Sequence, residues 1–142
     1  MPWGRFEPYL ASKYKREAVL SMKEIGKDET FSHILERFTE ETTWVHIDCF
    51  PGWAGLILDC DAELAKVDPD YKVLQIKQKF GKLRYYFKPS KESLLLKMNR
   101  IVTKAETVSG NICEICGARG QAENLGGSLY IQTLCRKHKF GY

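Results

Sequence analysis

Two short runs near the end of the chain carry the side chains best suited to chemistry: "CEICG", with Cys113 and Cys116, and "CRKH", with Cys135 and His138. Three thiolates and an imidazole are a donor set that zinc gathers into a tetrahedron. Each pair is separated by two residues, so one tight turn can present both members from the same side. The 18 residues between Cys116 and Cys135 leave room for a loop and a strand that bring the second pair back to the first. Gly117, directly after Cys116, suits the tight backbone behind such a turn. Four good ligands leave no open position for a reacting water, so the expectation is one structural zinc ion held by Cys113, Cys116, Cys135 and His138.

The other candidates are weaker as chemistry. Cys49 and Cys60 have no partner close in sequence and fall on apolar faces, where buried, inert thiols are expected. His33 sits beside an apolar stripe and reads as a surface or packing residue. His46 and Asp48 are two residues apart on one strand face and could act as a base and its orienter. No nucleophile or second acid stands beside them, and the chain shows no phosphate-cradling glycine loop, nucleophile elbow or paired-carboxylate signature. The chain reads as a binding protein and not an enzyme; a small metal-dependent nuclease recruiting His46 and Asp48 would need a second, open metal site.

Elements must position these residues. Pro8 and the spacing of Leu10, Tyr14, Ala18, Met22 and Ile25 predict a helix over 8–25, ended by Gly26. Asp28 can cap a second helix with Phe31, Ile34, Leu35 and Phe38 on one face. "TWVHIDCF" alternates as a strand with Val45, Ile47 and Cys49 inward. Trp53, Leu56, Ile57, Cys60, Leu64 and Val67 then recur at helical spacing until Pro69. Residues 71–88 predict a hairpin turning near Gly81, with Leu74, Ile76, Phe80, Leu83, Tyr85 and Phe87 on its core face. Gln75, Lys77, Lys79, Arg84, Tyr86 and Lys88 share the opposite face. Ser90 can cap a long helix carrying Leu94, Leu95, Met98, Ile101, Val102, Ala105 and Val108, which Gly110 stops. The CxxC turn follows, then a bend at Gly126 and Gly127, a strand "SLYIQTL" and the closing CxxH.

These 142 residues, 44% of them apolar and 12% aromatic, fit one α+β domain. Its expected form is a small antiparallel sheet with packed helices and a C-terminal zinc knuckle. Within it, 1–42 is a helical part, 43–110 the core and 111–142 the zinc-binding tail. No apolar run is long enough for a membrane span, and "MPWGRFEPYL" lacks the apolar core of a secretory signal. Five cysteines, an odd number, suit a reducing compartment better than a disulfide framework, so the expected location is cytoplasmic. Charge is divided unevenly: residues 1–70 hold 8 Lys or Arg against 14 Asp or Glu, a net of −6, while residues 71–142 hold 14 against 4, a net of +10. A basic half attracts phosphate backbones, and an acidic half can meet a basic protein surface.

"DCFPGWAGLILDC", then "QIKQKFGKLRYYF", then "CEICG" and "TLCRKH" resemble a pattern found in small zinc-binding proteins of bacteriophages and prophages. The resemblance spans about 48–138 and implies a binding role in the cytoplasm of a bacterial host, directed at host machinery, a defence system or nucleic acid. One expectation is an inhibitor that binds a host protein, ribonucleoprotein or nuclease complex, with Glu36, Glu40, Glu41, Asp59, Asp61 and Glu63 mimicking phosphate charge. The alternative is direct nucleic-acid binding, with Lys77, Lys79, Lys82, Arg84 and Lys88 on phosphates and Tyr86 stacked on a base.

Overall fold

The computed structural model describes residues 32–39, 47–126 and 130–139. The helix expected over 8–25 lies outside them, as do Val45, His46, Glu40 and Glu41. In chain order the elements are α1 (Ser32–Leu35), β1 (Ile47–Asp48), a 3-10 turn (Pro51–Trp53), α2 (Ala54–Val67), β2 (Lys72–Lys79) and β3 (Lys82–Lys88). After them come a second 3-10 turn (Glu92–Leu94), α3 (Leu95–Ser109), β4 (Gln121–Gly126), β5 (Tyr130–Leu134) and α4 (Arg136–Lys139). This is the α+β architecture the residue pattern predicts.

The first sheet has the order β1-β2-β3, the second pairs β4 with β5. The hairpin β2-β3 is antiparallel, but β1 runs parallel to β2, with Ile47 opposite Ile76. α2 supplies the crossover a parallel pair requires, so an all-antiparallel sheet is not what forms. On α2 the expected stripe of Trp53, Leu56, Ile57, Cys60 and Leu64 is buried, with Val67 at its margin. It meets Ile47, Cys49, Val73, Ile76, Leu83 and Tyr85 from the sheet and Met98, Val102, Ala105 and Val108 from α3. Cys49 and Cys60 are inside this core, where burial first, and neighbouring carboxylates second, raise both thiols well above their ordinary range.

Two register details depart from simple alternation. A bulge between Val73 and Gln75 takes in Leu74, so Val73 faces the core with Ile76 in the place expected of Leu74. The hairpin closes on the two residues Phe80 and Gly81, both at positive φ (55° and 83°), the backbone of a type I′ turn. Phe80 is therefore at the tip and half-exposed, not in the core. A phenylalanine in this left-handed conformation costs about 1 kcal/mol.

β3 is an edge strand, and α3 lies along it. The N–H of Leu83 donates to Ser109 Oγ (2.9 Å) and that of Tyr85 to Glu106 Oε2 (3.1 Å). α3 starts without a side-chain cap. Ser90, expected to cap it, instead donates its N–H and its hydroxyl to the Asp68 carboxylate, each at 2.7 Å.

Segment 32–38 is tied to the core by buried Ile34, by the Val73 N–H donating to the Arg37 carbonyl (3.0 Å) and by one buried acid. Asp61 accepts from Arg37 Nε (2.8 Å) and from the Tyr71 hydroxyl, and pairs with His33 Nε2 at 3.2 Å. The Arg37 guanidinium lies 4.4 Å over the Tyr71 ring and donates to the Pro69 carbonyl. Tyr71 is buried, and its hydroxyl also meets that of Tyr85 at 2.8 Å. Burial, and then the Asp61 charge, push the Tyr71 hydroxyl far above its usual range.

Asp68 gives a testable pH dependence. Burial works to raise its pKa, but hydrogen bonds from the Ser90 N–H, the Ser90 hydroxyl and the Asp70 N–H outweigh it and leave the group below its ordinary 3.8. A carboxylate lowered on folding stabilises above its unfolded pKa, and the contribution is lost as pH falls through the folded value. Asp68→Asn is expected to cost about 2 kcal/mol at neutral pH. In urea titrations the gap from wild type should persist at pH 7 and close below about pH 4.

Candidate metal centre and basic hairpin face

The tail has little apolar material of its own: Cys113, Leu134 and Cys135 form a small cluster separate from the main core, with Ile115, Cys116 and Ala118 at its edge. Polar groups organise it. Cys113 N–H donates to the Ala118 carbonyl (2.7 Å) and Gly117 N–H to the Cys113 carbonyl (2.9 Å). Gly117 sits at φ 84°, the conformation glycine was expected to supply behind the turn. β5 ends at Leu134 and α4 begins at Arg136, so Cys135 and His138 lie about one helical turn apart.

The four expected ligands come together. Their donor atoms all lie within 4.8 Å of one another. Cys116 Sγ is 3.7 Å from Cys135 Sγ, and His138 Nδ1 is 3.6 Å from Cys113 Sγ and 3.3 Å from Cys135 Sγ. This arrangement can bind a metal ion, with Nδ1 as the imidazole donor. Hydrogen bonding from the Cys116 thiol, then from the N–H groups of Cys135, Cys116 and Ile115, holds Cys113 down to about 4. The Cys116 thiol is raised, first by its hydrogen bonding with Cys113.

The knuckle is fastened to the core by a residue the ligand spacing did not single out. Glu114, between the two cysteines, is 1% exposed, and its polar groups engage two segments, residues 50–52 and β5. Its carbonyl accepts from Gly52 N–H (2.6 Å) and its N–H donates to the Thr133 carbonyl (2.9 Å). Its carboxylate accepts from Phe50 N–H (3.1 Å) and from Gln132 Nε2 (3.2 Å). Burial lifts its pKa to about 7 against the pull of those two donors. The available signal was an acid in a half of the chain that holds only 4.

The same junction explains two other motifs. A Cβ on Gly52 would stand 2.1 Å from the Cys113 carbonyl oxygen and 2.4 Å from the Glu114 carbonyl carbon, so "PGW" needs glycine for close approach. Trp53 fills the core and donates its indole N–H to the Ile112 carbonyl (2.9 Å). In "KFG", the Gly81 carbonyl accepts the Thr133 hydroxyl (2.5 Å), joining the hairpin tip to β5.

The sheet face away from the core carries the expected basic set. Lys77 is opposite Arg84, Lys79 opposite Lys82, and Gln75 opposite Tyr86; Lys72 opposite Lys88 adds a third like-charged pair. Arg84 reaches Glu106 at 3.7 Å. Among the described residues, Lys72, Lys77, Lys79, Lys82 and Lys88 have no carboxylate partner. Tyr86 is exposed on this face.

The acidic set fares differently. Glu36 is exposed and Glu63 half-buried, while Glu40 and Glu41 lie outside the described residues. Asp59 and Asp61 are 5% and 2% exposed, so neither projects as a surface phosphate mimic. Both sit on the inward side of α2, and Asp61 is committed to Arg37, His33 and Tyr71. Asp48 is exposed on β1 and lines a small cleft with Glu114, Gln78 and Gln132; its expected companion His46 lies outside the described residues.

Gly52→Ala drives a methyl into backbone that cannot rotate away, so it is expected to destabilise by about 2 kcal/mol or more. Lower urea midpoints for that variant, with a normal midpoint for an exposed control such as Glu36→Ala, would check the junction. The chain matches no known family model, no curated protein and no solved structure.

Proposed function

We propose that this chain is a non-enzymatic nucleic-acid-binding protein whose tail is fixed by one structural zinc ion and whose β2-β3 face meets the phosphate backbone. The observation that carries the reading is the stack of like-charged cross-strand pairs, Lys72/Lys88, Lys77/Arg84 and Lys79/Lys82. Like charges directly opposite each other on a sheet oppose folding. Only Glu106 offsets them among the described residues, through Arg84. A polyanion neutralises all three pairs at once, and Tyr86 offers a ring between them.

Zinc is the metal the donor set favours. Bonds of about 2.3 Å to sulfur and about 2.05 Å to nitrogen give tetrahedron edges of about 3.8 Å between sulfurs and about 3.6 Å from sulfur to nitrogen. The Cys116–Cys135 and Cys113–His138 distances of 3.7 Å and 3.6 Å fit those edges, and Cys135–His138 at 3.3 Å is somewhat shorter. Soft thiolates select zinc over magnesium or calcium, and four ligands close the site to a reacting water. Cys113, Cys116, Cys135 and His138 are also the only cluster of three or more metal-ligating side chains among the described residues.

The resemblance to phage and prophage proteins supports a setting in a bacterial cytoplasm. Inhibition of a host protein through the acidic half has lost Asp59 and Asp61 as surface groups. The basic face therefore leads.

Two measurements test the reading. Elemental analysis should return one zinc per chain, and Cys113→Ser with Cys116→Ser should lower the melting temperature sharply, because such sites contribute on the order of 10 kcal/mol in zinc-finger peptides. Protein without stoichiometric zinc, or unchanged unfolding in that variant, would remove the metal. In fluorescence anisotropy, labelled oligonucleotides should bind at about 50 mM salt and weaken roughly fiftyfold by about 200 mM if four phosphates are contacted on a single strand. Lys77→Glu with Arg84→Glu should abolish binding; no binding at low salt, or indifference to the reversal, sinks the proposal.

A further inference from the structure

The tip of the hairpin combines three things that folding alone does not call for. Phe80 holds a left-handed backbone at φ 55°, where a two-residue turn of this type ordinarily uses Asn or Asp before the Gly. Its side chain gains little in return, being 50% exposed and outside the main core. The flanking residues, Lys79 and Lys82, are directly opposite each other and exposed, and the Lys79 ammonium lies 5.9 Å over the Phe80 ring. A strained, half-exposed aromatic between two lysines is a poor turn and a good recognition element.

The tip is also rigidly mounted. Gly81 N–H donates to the Gln78 side chain (3.0 Å), and the Gly81 carbonyl accepts from Thr133, so the turn is braced from its own strand and from β5. That bracing explains how an unfavourable residue keeps its conformation, and it means the ring is presented in a fixed place.

The geometry points to Phe80 as a stacking platform for an unpaired base of single-stranded nucleic acid, with Lys79 and Lys82 on the phosphates either side of it. Bases expose their flat faces only when unpaired, whereas the lysine pairs further along the hairpin can follow either a single strand or a duplex. This assignment rests on the reading of the β2-β3 face as a nucleic-acid interface, and it adds strand preference to it.

The test uses Phe80→Asn, which removes the ring and installs the residue the turn prefers. F80N should raise the urea midpoint while weakening binding of a labelled oligothymidylate about tenfold. Binding of a mixed-sequence duplex of equal length should change less than twofold. Phe80→Gly, equally at ease at positive φ, should reproduce the single-strand loss, and Phe80→Tyr should retain wild-type binding. Unchanged oligothymidylate binding by F80N, with binding still abolished by the Lys77→Glu and Arg84→Glu pair, overturns the platform and leaves the interface standing. Equal losses on single strand and duplex overturn it too. If the wild-type chain binds neither oligonucleotide, both readings fall.

Discussion

Four donor atoms within 4.8 Å of one another, three of them on cysteines, are costly company unless a cation sits among them. The tail accepts this crowding because it has almost nothing else to hold it: its own apolar cluster is three buried residues. The four side chains can bind a metal ion, and a bound ion replaces hydrophobic area as the organising force at a fixed geometry. Glu114, between two of the four residues, sets how the tail meets the core.

The motifs separated along the chain turn out to be one junction. Gly52 and Trp53 approach the knuckle from below, Phe50 closes on the Glu114 carboxylate, and Gly81 takes the hydroxyl of Thr133. Each is a backbone or buried polar contact, for which substitution has few alternatives. The pattern "PGW", "KFG", "CEIC" and "TLC" therefore marks how the cysteine-bearing tail is coupled to an α+β core.

Much of this was legible in the residues. The ligands followed from donor chemistry and spacing, α2 from a long apolar period, and the basic face from alternation between Gln75 and Lys88. What escaped was set by tertiary context. Val73 replaced Leu74 because a bulge is not visible in a two-residue period. Phe80 looked like core because it is apolar, when the count of two residues between Lys79 and Lys82 made it turn. Parallel pairing of β1 depends on where α2 sends the chain, β4 has too few apolar residues to be seen, and Ser90 looked like a cap until Asp68 competed for it. Asp59 and Asp61 were read as surface phosphate mimics because charge alone says nothing of an arginine and a tyrosine folding back over one of them.

The treatment of β3's outer side has a wider bearing. Leu83 and Tyr85 give their amide protons to Ser109 and Glu106 on α3, so a visiting strand would have to evict two side chains before it could lengthen the sheet there. A protein that displays aromatics and unpaired lysines on one hairpin is exposed to unwanted self-association through that same hairpin. Sealing its border with a serine and a glutamate keeps the sheet from recruiting copies of itself through the backbone.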